Sequence, residues 1–261
     1  MVLVRCHDEK DRDSPSSRWI FFAALALLFL ANAALMVVWC SSMSGMGVVP
    51  MPGNWTVSMI WMPMCGQTWF DAAAAFVAMW TVMMAVMMQP SLALTLWRSR
   101  ITGAIDLSLL SLGYLFVWVV LGLAVFATGA VLLQVAMRQP SLAHLVPVAA
   151  GVLVLLAGTF QFSFWKARHL THCRQMVLQN GMAFRQGLRL GLHCGCNCAG
   201  LTVLLLVFGM MDLRIMAVGT VAATVERITR SGITAAHVIG ALAIGVGVLM
   251  IARAVVGSLS L

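Results

Sequence analysis

Apolar runs of about 20 residues, separated by short polar or basic segments, recur along the chain and constrain its fold more than any other feature. A helix of that length matches the hydrocarbon core of a bilayer. Of the 261 residues 62% are apolar and 9% are charged, and the mean hydropathy is +0.98. Because the backbone inside a bilayer must satisfy its own hydrogen bonds, the sequence predicts an all-α integral membrane protein.

Six transmembrane helices are predicted, forming one domain over 19–256 between a polar tail at 1–18 and a short tail at 257–261. The predicted spans are 19–40, 69–89, one within 105–136, 142–165, 195–219 and 233–256. At the end of the fourth span, Lys166 is expected to extend to the membrane interface. A short connecting segment follows the fifth span, and in it Glu226 is expected to pair with neighbouring Arg227.

The net charge of +8 is interpreted as a topology signal, because the basic residues cluster between apolar runs. With six spans both termini share one side, which carries 12 of the 16 Lys and Arg residues. This predicts a bacterial inner-membrane protein with cytoplasmic termini, although Arg214, Arg227 and Arg230 fall on the opposite side. No segment resembles a nucleic-acid module, and no nucleic-acid partner is expected. The seven cysteines lack the regular spacing of a disulfide framework.

Three cysteines, Cys194, Cys196 and Cys198, lie within five residues. On a helix beginning near residue 194, the first and third share a face, and the helix N-terminus would stabilise thiolates. Thiolates prefer Cu(I), Zn(II) or iron–sulfur clusters. Four nearby residues could complete the ligand shell of this predicted cytoplasmic loop, namely His169, His172, Cys173 and His193. The alternatives are buried packing cysteines or thiol–disulfide chemistry at Cys194-Gly-Cys196.

Methionine is the second signal, with 20 residues in the chain. In the second predicted span the methionines form two neighbouring stripes, which are Met79, Met83 and Met87, and Met84 and Met88. The segment 41–68 has no Lys or Arg and is predicted to be an irregular or re-entrant external loop. It carries further soft ligands at Met43, Met46, Met62, Met64 and Cys65. Thioethers suit Cu(I), but methionine is also a flexible packing residue between helices.

The run Trp80-Thr-Val-Met83-Met84-Ala-Val-Met87-Met88-Gln-Pro90 resembles the signature of a group of bacterial integral membrane proteins that are described as metal-binding, with some members labelled copper chaperones. Over residues 60–256 the further matches are Gly113-Tyr114, Trp118, Ala157-Gly158, Gln161, Lys166, Cys173-Arg174, Gly187 to Cys198, Met211-Asp212 and Glu226. Where the family usually has C-x-x-C-C, this chain has Cys194-Gly-Cys196-Asn-Cys198. The resemblance implies a metal-binding membrane protein.

The sequence therefore predicts a non-enzymatic membrane protein that binds a soft metal, Cu(I) first and zinc second, for delivery or handling. External methionines would capture the ion, the stripes would offer weak sites through the bilayer, and the cysteines would bind it more tightly inside. Expected partners are the lipid bilayer and a copper-dependent membrane enzyme or a soluble metal carrier. Two alternatives are a non-catalytic assembly subunit of a copper enzyme and a membrane thiol oxidoreductase.

Overall fold

The structure is a computed structural model that describes residues 15–44, 48–51, 55–58, 61, 66–98, 104–139, 145–168, 182–210, 212–229 and 231–259. The longer helices in these ranges are α1 Pro15–Ser44, α2 Trp69–Arg98, α3 Ala104–Arg138, α4 Val146–Phe160, α5 Ala183–Phe208, α6 Leu213–Ile228 and α7 Gly232–Leu259, and a further helical stretch is described over 164–168. Between α1 and α2, strands β1 Val48–Met51 and β2 Trp55–Ser58 pair antiparallel. The segment predicted to be irregular therefore contains a short hairpin.

Within the described ranges, five helices are long and apolar enough to cross a membrane, and the protein is a multi-pass membrane protein. Those spans are Phe22–Ser41, Trp69–Pro90, Ile105–Arg138, Ala183–Phe208 and Gly232–Val256. The predicted fourth span is shorter than expected, because α4 ends at Phe160 after 15 residues. At about 1.5 Å per residue, such a helix is roughly 22 Å long and does not cross a 30 Å core alone.

Two further predictions are wrong. The helix predicted over 195–219 begins earlier, at Ala183, and ends at Phe208. The residues expected to form a connecting segment before the last span instead belong to α6. This helix begins after Asp212, and the Asp212 side chain accepts a hydrogen bond from the backbone N–H of Arg214. Two local features separate α5 from α6. Gly209 ends α5 with φ 108°, a value that glycine adopts easily, and Asp212 is a favoured N-cap residue for α6.

Consecutive helices run in opposite directions where their contacts fix the direction. Phe76 on α2 packs against Phe126 on α3, and Trp80 donates a hydrogen bond to the Trp118 carbonyl, so residue numbers rise on one helix as they fall on the other. The helices α3 and α5, which are not consecutive, run parallel. They approach so closely that a Cβ on Gly187 would collide with the backbone at Leu110, the packing mode of small residues in membrane helices.

The buried core lies between α2, α3, α5 and α6, with α4 and α7 packed as an antiparallel pair beside α5. Near the start of α2 the core is aromatic, where the rings of Trp61 and Phe76 lie 5.0 Å apart. Farther along α2 the core is rich in sulfur, and this part of the bundle contains the candidate site.

Candidate metal centre

The cysteine cluster lies in the middle of α5 rather than at its start. The helix begins eleven residues before Cys194, so the prediction that a helix N-terminus stabilises the thiolates is wrong. Cys194 and Cys198 do share a face, as their spacing of four predicts, and they are 0% and 1% exposed. Cys196 lies on another face and is half-buried, as is His193.

Two side chains from other helices meet at Cys194. The Tyr114 hydroxyl on α3 lies 3.1 Å from its Sγ, and Nη2 of Arg227 on α6 donates a hydrogen bond to the same sulfur at 2.8 Å. The same nitrogen lies 3.3 Å from the Cys198 Sγ. One permanently charged guanidinium therefore contacts both sulfurs.

A methionine sulfur completes a group of three. The Sδ of Met88 lies 3.8 Å from the Cys198 Sγ. All five methionines of the predicted stripes are buried in the same core cluster, at no more than 1% exposure, and they are Met79, Met83, Met84, Met87 and Met88. Both stripes therefore face the inside of the bundle rather than lipid, and the Met88 end of the stripe meets the cysteine pair.

A buried ion pair lies beside the sulfur group. Lys166 follows the turn after α4 and donates hydrogen bonds to both carboxylate oxygens of Glu226, at 3.0 and 2.8 Å, and to the Gln161 side chain. Lys166 and Glu226 are 1% and 0% exposed. The prediction that Lys166 extends to the interface is therefore wrong, and the predicted local pairing of Glu226 with Arg227 did not foresee Lys166 as a partner of this carboxylate. The pair joins the stretch after α4 to α6 and holds the helix end that carries Arg227.

Tyr114 and Arg227 were not among the predicted site residues, although the sequence contained a signal for the second. Charged residues in or next to apolar segments are costly and commonly functional in membrane proteins. The hydropathy pattern places Glu226 and Arg227 in a connecting segment between two spans. Both charged side chains were therefore predicted to lie in a loop rather than in the helix bundle. Asn197 is also fully buried between the two cysteines, and its Oδ1 has no hydrogen-bond partner among the described residues.

Other predicted ligands lie outside the described residues, and they are His169, His172, Cys173, Met46, Met62, Met64 and Cys65. For Met43 only the backbone is described, within α1. In the described part of the chain, no group of three or more His, Cys, Asp or Glu side chains forms a metal site. The sulfur group instead has two thiols and a thioether, a donor set that suits a soft ion and lacks the oxygen or nitrogen ligands of harder ions.

Comparison with known proteins agrees with this chemistry. A family model described as PpoB2, a copper chaperone, matches residues 77–250. The match includes the methionine stripes from Met79 onward, Tyr114, the cysteine cluster and Arg227. No curated protein and no solved structure matches the chain significantly. The matched region covers well over half of the chain, and the chain belongs to the PpoB2 copper chaperone family.

Proposed function

We propose that this protein binds Cu(I) at Cys194, Cys198 and Met88 inside the membrane and hands the ion to a copper-dependent partner. The observation that carries the proposal is the buried group of two thiols and a thioether, with Arg227 hydrogen-bonded to both thiols. Thiolate and thioether sulfurs are the ligands that select Cu(I). The family description, copper chaperone, agrees with the same cargo.

The methionine stripes support a route to this site. Met79 and Met88 are nine positions apart on α2, or about 13 Å at the usual helical rise. Thioethers spaced between them would bind Cu(I) weakly enough to release it, as conduction through several sites requires. In this proposal the ion enters near the hairpin side of α2 and reaches the cysteine pair from there. The protein would lie in a bacterial inner membrane and pass the ion to a copper-dependent enzyme or to a soluble carrier.

Burial argues against the thiol oxidoreductase alternative. Thiol–disulfide exchange needs a partner thiolate to reach the attacked sulfur, and both Cys194 and Cys198 are buried between helices. A small ion moving between thioethers meets no such obstacle. The alternative of a non-catalytic assembly subunit requires no metal on this chain. Measuring whether the purified chain binds copper therefore distinguishes that alternative from the proposed Cu(I) carrier.

The test is copper analysis of the full-length protein, purified in detergent under reducing conditions. We expect about one Cu(I) per chain in the wild type, since the donor set forms one soft site. The double variant Cys194→Ser, Cys198→Ser should lose it, while Cys196→Ser should keep it. Cys196→Ser is the matched control, because it removes the same atom from the same helix on a different face. Copper retained by the double variant, or lost equally in the control, would contradict the proposal.

A further inference from the structure

Among the described residues, three charged side chains lie at or beside the sulfur group. Lys166 and Glu226 form a close ion pair and neutralise each other. Arg227 carries a third charge, and its Nη2 contacts both cysteine sulfurs. Because arginine stays protonated in proteins, one positive charge remains next to the two thiols whatever they bind. A metal site inside a membrane protein would usually be expected to avoid a cation at that distance.

We infer that Arg227 makes this site selective for a monovalent soft ion over a divalent one. This inference rests on the proposed function. Two thiolates bring two negative charges and Arg227 brings one positive charge, so a single monovalent ion leaves the group neutral. A divalent ion at the same ligands is repelled by the Arg227 charge about twice as strongly as a monovalent ion at the same distance. The inference thus narrows the cargo to Cu(I) and similar ions and excludes zinc as the preferred one.

The size of the effect follows from burial. Cys194, Cys198 and Asn197 are each at most 1% exposed, so the sulfur atoms that would hold the ion lie away from solvent, and the half-buried Arg227 contacts them from α6. Two like charges repel each other more strongly in such an interior than at a protein surface. A site at the surface would therefore distinguish ions less well with the same arginine.

Ag(I) and Cd(II) isolate charge from other ionic properties, because the two ions are isoelectronic, soft and stable to reduction by thiols. The measurement is the ratio of their affinities for the full-length protein in detergent, by competition titration. Arg227→Gln removes the charge and keeps an N–H donor. We expect it to raise the affinity for Cd(II) relative to Ag(I) by at least roughly tenfold. Arg227→Lys, the matched control, keeps the charge and should leave the ratio near the wild-type value.

A second variant changes the charge beside the sulfur group and leaves Arg227 in place. Asn197 lies beside the pair, with its Nδ2 4.0 Å from the Cys198 Sγ. Asn197→Asp adds a negative charge there and should also shift the ratio toward Cd(II). This variant keeps the test decisive if Arg227→Gln does not fold. Chromatographic profile and helical content are compared first for every variant.

The outcomes separate the two proposals. If wild-type protein binds neither ion at Cys194 and Cys198, the proposed function fails. If it binds Ag(I) there but neither Arg227→Gln nor Asn197→Asp changes the ratio, the proposed function stands and the selectivity role of Arg227 is overturned. A shift of the same size in Arg227→Lys would also overturn it, because the geometry of the guanidinium rather than its charge would then be responsible.

Discussion

At the scale of single residues, Met88 is where the methionine stripe and the cysteine pair meet. Its Sδ lies 3.8 Å from the Cys198 Sγ. Met88→Leu keeps the volume and apolar character of the side chain, so stability should change by less than about 1.5 kcal/mol. The loss of a soft ligand should weaken Cu(I) binding roughly tenfold, or ~1.4 kcal/mol, measured by competition with a chromogenic Cu(I) chelator.

Met79→Leu is the control for this prediction. Met79 is equally buried on the same helix but lies about 13 Å away along α2. Its substitution should leave the equilibrium affinity of the cysteine pair unchanged. Equal loss in the two variants would mean that Cu(I) is spread along the stripe and that Met88 has no special part in the site.

Residue patterns in the sequence predicted part of this site. The spacing of Cys194 and Cys198 correctly placed both sulfurs on one face and Cys196 on another, because helical periodicity is a local property. Arg227 and Tyr114 could not be found in this way. They lie 33 and 80 positions from Cys194, and their meeting depends on how three helices pack.

At the scale of elements, the turn that follows α4 allows Lys166 to be buried in the helix bundle. Irregular backbone at membrane depth is tolerated where protein covers it, and the turn here is closed by backbone hydrogen bonds from Gln161, Phe162 and Ser163 to α4 carbonyls. The turn directs Lys166 into the bundle, toward Glu226 on α6. This ion pair is the clearest polar link between the two elements.

Removing one member of that pair should therefore cost more than removing both. Lys166→Met leaves the Glu226 carboxylate buried without its cation and should destabilise the protein by about 3–5 kcal/mol. The double variant Lys166→Met, Glu226→Leu restores an uncharged interior and should be closer to the wild type. Midpoints of thermal unfolding in detergent compare the three proteins. The single variant Glu226→Leu, measured in the same way, completes the comparison, and a double variant as unstable as the sum of the two single variants would mean that the two groups are not coupled.

Helices with uninterrupted apolar runs were the elements that the sequence predicted well. The runs at α2, α3 and α7 matched the predicted spans because each is apolar on nearly every side. The start of α5 was missed because Arg185 and Arg189 interrupt its hydropathy, although both side chains are exposed and cost little there. The helix α6 was missed for a different reason, since the partners that make Glu226 and Arg227 acceptable lie in the stretch after α4 and on α5.

At the scale of the whole molecule, α6 decides the topology. Gly219 packs near Leu205, and Arg227 contacts Cys194, so α6 runs antiparallel to α5 across about 12 Å of its length. If α4 crosses together with the turn and helical stretch that follow it, and if the 16-residue α6 also crosses, seven alternating helices place the termini on opposite sides, unlike the six predicted spans. All Lys and Arg residues except Arg138, Arg214 and Arg253 would then belong to one side.

That distribution follows the positive-inside rule better than the six-span topology does, because Arg227 and Arg230 move to the basic side. We therefore expect the N-terminus and the segment after α6 to be cytoplasmic and the C-terminus to be external. Fusions of a reporter that fluoresces only in the cytoplasm, placed after residue 230 and after Leu261, distinguish the two topologies. Seven crossings give a bright and then a dark fusion, and six give the reverse.

A fusion after residue 101 is the internal control, since both topologies place that segment in the cytoplasm. If it is bright and the two test fusions follow the six-span pattern, α6 enters the bundle without crossing the membrane. Arg227 would then have to reach Cys194 from the external side. The cysteine pair would then lie near the external side, as the methionine-rich segment 41–68 does. Cu(I) would not need to travel along α2 from one side of the membrane to the other to reach the site.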